Sequence, residues 1–91
     1  MYAVVVRETG DAAAIDASRE HVQTNVVPRT QQARGILAAY WTTDKAGGTL
    51  NMLLFDEEAA ARAAMERIRD APRPPFMRLE SVQLNEVLAH F

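Results

Sequence analysis

The chain has 91 residues, of which 48% are hydrophobic, and carries a formal net charge of −2 at pH 7. Its acids and bases are interspersed without a basic stripe, so nucleic acid is not an expected partner. The absence of cysteine excludes disulfides, thiolate catalysis and cysteine metal sites. Residues 1–10 contain neither a secretory signal nor a membrane span, so we expect a single cytoplasmic domain over residues 1–91.

The first two predicted elements are a strand and a helix. Residues 2–7 (YAVVVR) are short, apolar and β-branched, which is typical of a central strand buried on both faces. Residues 16–27 predict a helix in which Asp16 or Ser18 caps the N-terminus. Pro28 cannot continue the helix ladder without a kink, so we expect a break there and one last short turn.

A hairpin over residues 35–55 is the most hydrophobic part of the chain. Residues 35–43 and 49–55 predict two strands, joined by a turn at residues 44–48. The two glycines of this turn supply the positive φ values that short hairpin connections need.

Residues 56–70 predict the clearest helix, with Asp56 as its N-cap. Glu58 and Arg62 form a favourable pair one turn apart, worth about 0.2–0.5 kcal/mol. The apolar face is small and flat, which favours close packing on a sheet, and consists of Ala60, Ala61, Ala64, Met65 and Ile68. The proline-rich residues 71–75 end the helix.

The last predicted strand lies within residues 76–91, with a bulge near Glu86 and an apolar tail at residues 87–91. The element order is therefore β-α-β-β-α-β. Two split β-α-β units with right-handed crossovers give a four-stranded antiparallel sheet in the order 4-1-3-2, with both helices on one face. The predicted fold class is α+β, ferredoxin-like.

Both faces of the predicted hairpin are apolar. Strict alternation places Ile36, Ala38 and Tyr40 on one face of the strand and Leu37, Ala39 and Trp41 on the other. A monomer would then expose an apolar patch of several hundred Å², which monomeric proteins rarely do. We therefore expect a homodimer with its sheets packed face to face and the tail of residues 87–91 covering the partner's sheet edge.

Several features together resemble the dimeric α/β-barrel superfamily, more narrowly small actinobacterial proteins close to the antibiotic-biosynthesis monooxygenase-like proteins. They are the element order, the strand with Gly35, Tyr40 and Trp41, the helix start FDEEAAARAA at residues 55–64, and the closing residues Glu86, Val87 and Ala89. The superfamily includes cofactor-free monooxygenases, haem-degrading enzymes, isomerases, lactone and chloro-compound enzymes, and members without known activity. The resemblance therefore implies a fold and a dimer rather than one reaction.

Haem-degrading members of that superfamily use an Asn, a Trp and a His together in the pocket. Asn51, Trp41 and His21 offer the same residue types here. Their order and spacing along the chain match no motif of that group, so the resemblance transfers no catalytic residue.

A pocket is expected between the sheet and the helices, near the break in the first helix. His21 lies one turn before Asn25, so both side chains share a helix face. An imidazole there is a candidate base for a phenol or an enolisable ketone. The alternative is a surface role, because His21 belongs to the polar stretch at residues 19–21.

Substrate-binding candidates come from the hairpin and are Tyr40, Trp41, Asn51 and Phe55. Tyr40 and Trp41 are adjacent, so one should line the cavity and the other the dimer interface, although core packing explains either one alone. The Asn51 amide needs a hydrogen-bond partner, which is a ligand carbonyl, the backbone or water. His21 and His90 are far apart in sequence, so we expect no metal site.

The leading hypothesis is a homodimeric α/β-barrel protein that binds a small apolar or aromatic molecule, with cofactor-free monooxygenation as its candidate chemistry. No cofactor is expected, and haem binding is kept as a third alternative. The competing hypothesis is a non-catalytic dimerisation or ligand-sensing module, because the predicted core has few titratable groups.

Overall fold

The computed structural model describes residues 1–91 and contains four strands and a series of helices. In chain order these are β1 (Tyr2–Gly10), α1 (Ala12–Ala17), α2 (Arg19–His21), a π-helical segment (Val22–Val26), α3 (Val27–Thr30), β2 (Ile36–Thr43), β3 (Gly48–Phe55), α4 (Glu58–Asp70) and β4 (Met77–Glu86). We refer to residues 12–30 together as the first helical segment. No helix is both long enough and apolar enough to cross a membrane.

The four strands form one antiparallel sheet in the order β2-β3-β1-β4. This order confirms the predicted 4-1-3-2 arrangement and the ferredoxin-like α+β fold. The strand β1 pairs with both β3 and β4, and its residues Ala3 to Val6 are buried, as expected of a central strand.

The hydrophobic core lies between α4 and the middle of the sheet. Val4 and Val6 of β1 and Phe55 of β3 pack there against Ala61 and Ala64 of α4. The short alanine side chains let the helix backbone approach the strands closely, as the alanine-rich face predicts. Phe55 is fully buried, and burying a side chain of this type contributes about 1.5–3 kcal/mol.

The start of α4 differs from the prediction by one residue. Its N-cap is Glu57 rather than Asp56, and no side chain caps the helix. The Asp56 backbone N–H instead donates to the carbonyl of Gly35 at 3.0 Å, which ties the helix start to the beginning of the hairpin. The predicted pair of Glu58 and Arg62 is present at 2.9 Å.

The first helical segment begins earlier than predicted. Asp11 is the N-cap of α1, and its side chain accepts a hydrogen bond from the Ala14 N–H at 2.9 Å. Neither predicted residue caps the start of the segment, although Ser18 is the N-cap residue of α2 without a side-chain capping bond. The side chains of Asp16 and Ser18 have other partners. Asp16 pairs with Arg19 at 3.0 Å, and the Ser18 hydroxyl donates to the Ile15 carbonyl at 2.6 Å.

The predicted interruption near Pro28 takes the form of the π-helical segment that precedes it. Pro28 lies in the first turn of α3 and has no N–H to donate to the carbonyl of Thr24. The wider π turn instead lets the Val27 N–H donate to the Val22 carbonyl, five residues back. The helix therefore continues through the proline with a locally wider turn.

The predicted bulge in β4 near Glu86 was wrong in position. Glu86 is regularly paired with Tyr2, whereas the register between β1 and β4 shifts after Arg7. Arg7 pairs with Ser81 and Glu8 pairs with Leu79, so the extra residue of β4 is Glu80. The bulge therefore lies near the middle of the strand.

A second irregularity changes the predicted faces of β2. Ile36 pairs with Phe55 and Ala38 pairs with Leu54, which leaves Leu37 without a partner residue. Because of this bulge, Ile36 faces the helices, whereas Tyr40 faces away from them. The sequence prediction had placed these two side chains on one face, because strict alternation does not allow for an extra residue.

The sheet face that carries no helix has an apolar half and a polar half. Residues paired across antiparallel strands share a face, so the pairing assigns the side chains. The β2–β3 half contributes Ala38, Tyr40, Leu50, Met52 and Leu54, and the β4 edge contributes Ser81, Gln83 and Asn85. The C-terminal tail lies beyond this sheet, with Leu88 and Phe91 exposed.

Candidate functional site

A cavity of about 630 Å³ separates the first helical segment from the sheet. Its walls come from that segment, from the ends of β1, β2 and β3 nearest the hairpin turn, and from residues 74–77. The first helical segment buries only Ile15. The space beneath it is therefore a cleft rather than a filled core.

Three of the predicted site residues line this one cavity: His21, Trp41 and Asn51. Trp41 and Asn51 are paired directly across β2 and β3, so their side chains share the face that looks toward the helices. His21 approaches from the opposite wall, at the end of α2. The fold thus brings together residues that lie 30 positions apart in the sequence, between His21 and Asn51.

The other two predicted substrate-binding residues do not line the cavity. Tyr40 is paired with Met52, which places its side chain on the opposite face of the sheet, and it is 58% exposed there. Phe55 is completely buried in the core beneath α4, at the far end of β3 from the cavity. Of the adjacent aromatic pair, Trp41 is the residue at the cavity.

A hydrogen-bond chain along the helix defines the state of His21. The Thr24 hydroxyl donates to the Glu20 carbonyl at 2.8 Å, so its oxygen accepts from the Asn25 side-chain amide at 3.1 Å. The same amide nitrogen lies 3.1 Å from Nδ1 of His21. This network assigns Nδ1 as an acceptor and leaves the proton of the neutral ring on Nε2. In this tautomer the ring offers the cavity a donor, and a role as base requires the Asn25 amide to turn over.

The sequence interpretation missed Glu8, which also lines the cavity. Its side chain is 14% exposed and forms an ion pair at 2.9 Å with Arg73, whose side chain is 17% exposed. Arg73 also donates to the carbonyls of Ile68 and Ala71 at 2.7 and 3.0 Å. The carboxylate is therefore held from behind by an arginine that is itself anchored to the end of α4.

One sequence signal could have identified Glu8. The prediction ended the first strand at Arg7, one residue before Glu8, whereas β1 continues to Gly10. Val4, Val6 and Glu8 are spaced two residues apart along the longer strand, so their side chains point to the same inward face. An acid at an inward position of a buried strand needs a partner, which marks it as a residue of interest.

Asn51 lies beside Glu8 on the neighbouring strand. Its amide nitrogen is 3.5 Å from Oε1 of Glu8, a distance at the outer limit of a hydrogen bond. The partner of the Asn51 amide in the structure is thus the Glu8 carboxylate, which is not one of the three partners that the sequence suggested. On the sheet side, the wall of the cavity is therefore formed by the polar side chains of Glu8 and Asn51 next to the indole of Trp41.

The two carboxyl groups with clearly shifted pKa values lie outside the cavity. Backbone N–H groups of Ala46 and Gly48 donate to Asp44 in the hairpin turn and lower its pKa. The Thr9 hydroxyl and the Arg78 guanidinium lower the pKa of Glu80 in the same way. Asp44 thereby stabilises the hairpin turn, and Glu80 stabilises the bulged part of β4 next to β1.

No protein-family model and no curated protein sequence matches the chain. Solved structures do match it along its whole length. A MhuD variant with two manganese protoporphyrin IX molecules bound per active site shares 11% identity at a TM-score of 0.71, covering 100% of this chain and 98% of that one. The monooxygenase ActVA-Orf6 of Streptomyces coelicolor, solved with Nanaomycin D, shares 15% at a TM-score of 0.62, covering 99% and 90%.

A dimeric ferredoxin-like protein from an uncultured marine organism shares 7% identity at a TM-score of 0.64, covering 100% of this chain and 98% of that one. Identities this low support a common fold only. The chain therefore has the ferredoxin-like fold of these solved structures, as the resemblance in its sequence implied.

Proposed function

We propose that the protein is a homodimeric α/β-barrel protein whose cavity binds a small apolar or aromatic molecule, with cofactor-free oxygenation as the candidate reaction. The observation that carries the proposal is the convergence of His21, Trp41 and Asn51 on one cavity. Its volume of about 630 Å³ is within the range of small-molecule sites.

The lining of the cavity suits a flat, largely apolar ligand. Trp41 supplies an aromatic surface on the sheet side, and Val22, Val26 and Phe76 supply apolar surface around it. Asn51 and His21 are polar groups that can fix the orientation of the ligand. Polar side chains outnumber hydrophobic ones around the cavity, but most of its lining surface is apolar, which is typical of sites that bind such molecules.

The candidate reaction needs little more than these groups. A phenol or enolisable ketone that loses a proton becomes an electron-rich anion, which can reduce dioxygen without a cofactor. His21 takes the proton once Asn25 has turned over, and the Asn51 amide donates to the developing oxyanion.

The test is a screen of aromatic and polyketide-like compounds by thermal shift and oxygen uptake. Trp41→Ala and His21→Ala should abolish the thermal shift of any ligand that stabilises the wild type. Tyr40→Ala is the matched control, because it removes the adjacent aromatic ring from the opposite sheet face and should leave the ligand response intact. Equal responses of the wild type and both cavity variants would contradict the proposal.

The second candidate function is a non-catalytic ligand-sensing or dimerisation module. It is favoured by the pairing of the charged groups around the cavity. Glu8 is paired with Arg73 and Asp16 with Arg19, and His21 already accepts from Asn25. A ligand that raises the melting temperature through Trp41 without any oxygen uptake would support this alternative over the enzyme.

Haem is a competing ligand that the same residues fit. Nε2 of His21 is not engaged by Asn25, so in the other tautomer this nitrogen would be the donor that His21 offers to haem iron. Bound haem would supply redox chemistry that the chain itself lacks. A Soret shift on titration with haem, lost in His21→Ala, would replace the cofactor-free proposal, whereas an unshifted band removes haem.

The proposed homodimer buries the apolar half of the outer sheet face. Tyr40 and Leu37 are 58% and 53% exposed in the single chain, and the tail residues Leu88 and Phe91 are also exposed. The dimeric protein of the same fold supports this assembly, and we keep the cytoplasm as the proposed location. Sedimentation of the wild type as a dimer and of Tyr40→Glu as a monomer is the expected result. A stable wild-type monomer at micromolar concentration would contradict it.

A further inference from the structure

We propose that Glu8 determines the ligand specificity of the cavity by accepting a hydrogen bond from a neutral hydroxyl group of the ligand. This inference rests on the proposed binding of a small aromatic molecule. It adds Glu8 to the site, and it requires the ligand to carry a hydrogen-bond donor that is directed at β1.

The hydrogen bonds of Glu8 leave one of its oxygens largely unused. Oε2 accepts from Nε of Arg73 at 2.9 Å, whereas the nearest donor to Oε1 is the Asn51 amide at 3.5 Å. An ionised carboxylate can accept about four hydrogen bonds, two at each oxygen. A carboxylate at the cavity with this remaining capacity offers a strong acceptor to a ligand donor.

Arg73 explains why the acceptor is fixed. Its three donor nitrogens are bound to Glu8, Ile68 and Ala71, so the guanidinium cannot swing into the cavity without breaking all of these bonds. Arg73 is also not among the lining residues. The ligand therefore meets the carboxylate and not its counter-ion.

The charge balance indicates a neutral ligand. Arg73 compensates Glu8, and Arg19 compensates Asp16 at the other wall. A ligand that is already anionic when it binds would bring a second negative charge against Glu8, and a cation would compete with an arginine that is already in place. The anion of the candidate reaction forms only after binding, when His21 takes the proton. A neutral hydroxyl satisfies the free oxygen without disturbing either ion pair.

The experiment compares 2-naphthol with 2-methoxynaphthalene, which have the same ring system but differ in the donor. Their dissociation constants are measured by calorimetry against the wild type, Glu8→Gln and Glu66→Gln. Glu66 is an exposed acid of α4 and serves as the matched control. We expect the wild type and Glu66→Gln to prefer the naphthol by about tenfold, the value of one hydrogen bond to a charged group. In Glu8→Gln that preference should fall to about twofold or less.

The outcomes separate this inference from the proposed function. If both ligands bind the wild type equally well, the cavity binds aromatic molecules but Glu8 does not select a hydroxyl, and the inference fails alone. If neither ligand binds, both proposals fail for this ligand class. A loss of affinity for both ligands in Glu8→Gln, with the preference unchanged, would show a purely structural role and also overturn the inference.

Glu8→Gln leaves Arg73 without its counter-ion, which can destabilise the chain. The double variant Glu8→Gln/Arg73→Met removes both charges and provides the folded alternative. Its preference for naphthol should be lost to the same extent as in Glu8→Gln. A tenfold preference in the folded double variant would contradict the role of Glu8.

Discussion

The helix-facing side of the sheet is covered in two different ways. Under α4 the strands and helix form a filled core, with Phe55, Ala61 and Ala64 almost completely removed from solvent. Under the first helical segment the same sheet face borders a cavity, and only Ile15 of that segment is buried. One half of the layer is therefore closed by packing, and the other half leaves room for a ligand.

The inner face of the sheet explains this difference. Along β1 its residues change from Val4 and Val6 to Glu8, and along β3 they change from Phe55 and Leu53 to Asn51. An apolar helix packed tightly on the polar end would desolvate these groups at a cost of about 1–3 kcal/mol for each unpaired one. The polarity of two neighbouring strands thus separates the core from the site.

The largest effect should come from emptying the packed half. Phe55→Ala leaves a cavity beneath α4 and should lower the free energy of unfolding by about 3–5 kcal/mol in urea titrations. Trp41→Ala, which removes a larger ring from the cavity half, should lower it by only about 1 kcal/mol. Equal losses in the two variants would show that both halves are packed alike.

A reciprocal exchange along β3 sharpens the comparison. Leu53→Asn places an amide against the core and should cost about 1–3 kcal/mol, because that amide has no partner there. Asn51→Leu should change the stability by less than about 1 kcal/mol and weaken ligand binding, since its side chain faces the cavity. A severe loss of stability in Asn51→Leu would assign Asn51 to the core rather than the site.

The smallest effect concerns the hairpin turn that joins β2 to β3. Asp44 accepts backbone hydrogen bonds in that turn, which hold its pKa below the ordinary 3.8. Its contribution to stability is therefore present above the unfolded-state pKa and is lost as the pH falls through the folded-state pKa. Asp44→Asn should lack this dependence.

Urea titrations near neutral pH and at pH values below 3.8 measure the difference between the wild type and Asp44→Asn. The advantage of the wild type should shrink on acidification. An advantage that stays constant or grows in acid would contradict the assigned role of the turn hydrogen bonds.

Hydrophobic periodicity predicted the element order, the sheet topology and the alanine face of α4. It could not locate the bulges at Leu37 and Glu80, because an extra residue in a strand leaves no mark in composition. The bulge at Leu37 places Ile36 and Tyr40 on opposite faces of the sheet, so the faces of β2 could be assigned only from the structure. The start of the first helical segment was also mispredicted. Asp11, Asp16 and Ser18 are all residue types that can cap a helix, and the sequence does not show which one does so.

The candidate site was only partly predictable. His21, Trp41 and Asn51 stand out as residue types, but their meeting depends on the strand pairing and on where the helix lies. Glu8 was overlooked because a polar residue near a strand end resembles a turn residue. Its role follows from the ion pair with Arg73, which joins positions 65 residues apart.

The indole N–H of Trp41 provides the most direct test of the central claim that the cavity binds a small aromatic molecule. Trp41 is the only tryptophan, so the chain has one indole cross-peak in a ¹H–¹⁵N correlation spectrum. Titration with 2-naphthol should shift this cross-peak saturably, in the wild type and in Tyr40→Ala, while the amides of α4 stay in place. A cross-peak that does not move up to millimolar ligand, or that moves only with the α4 amides, would contradict the account.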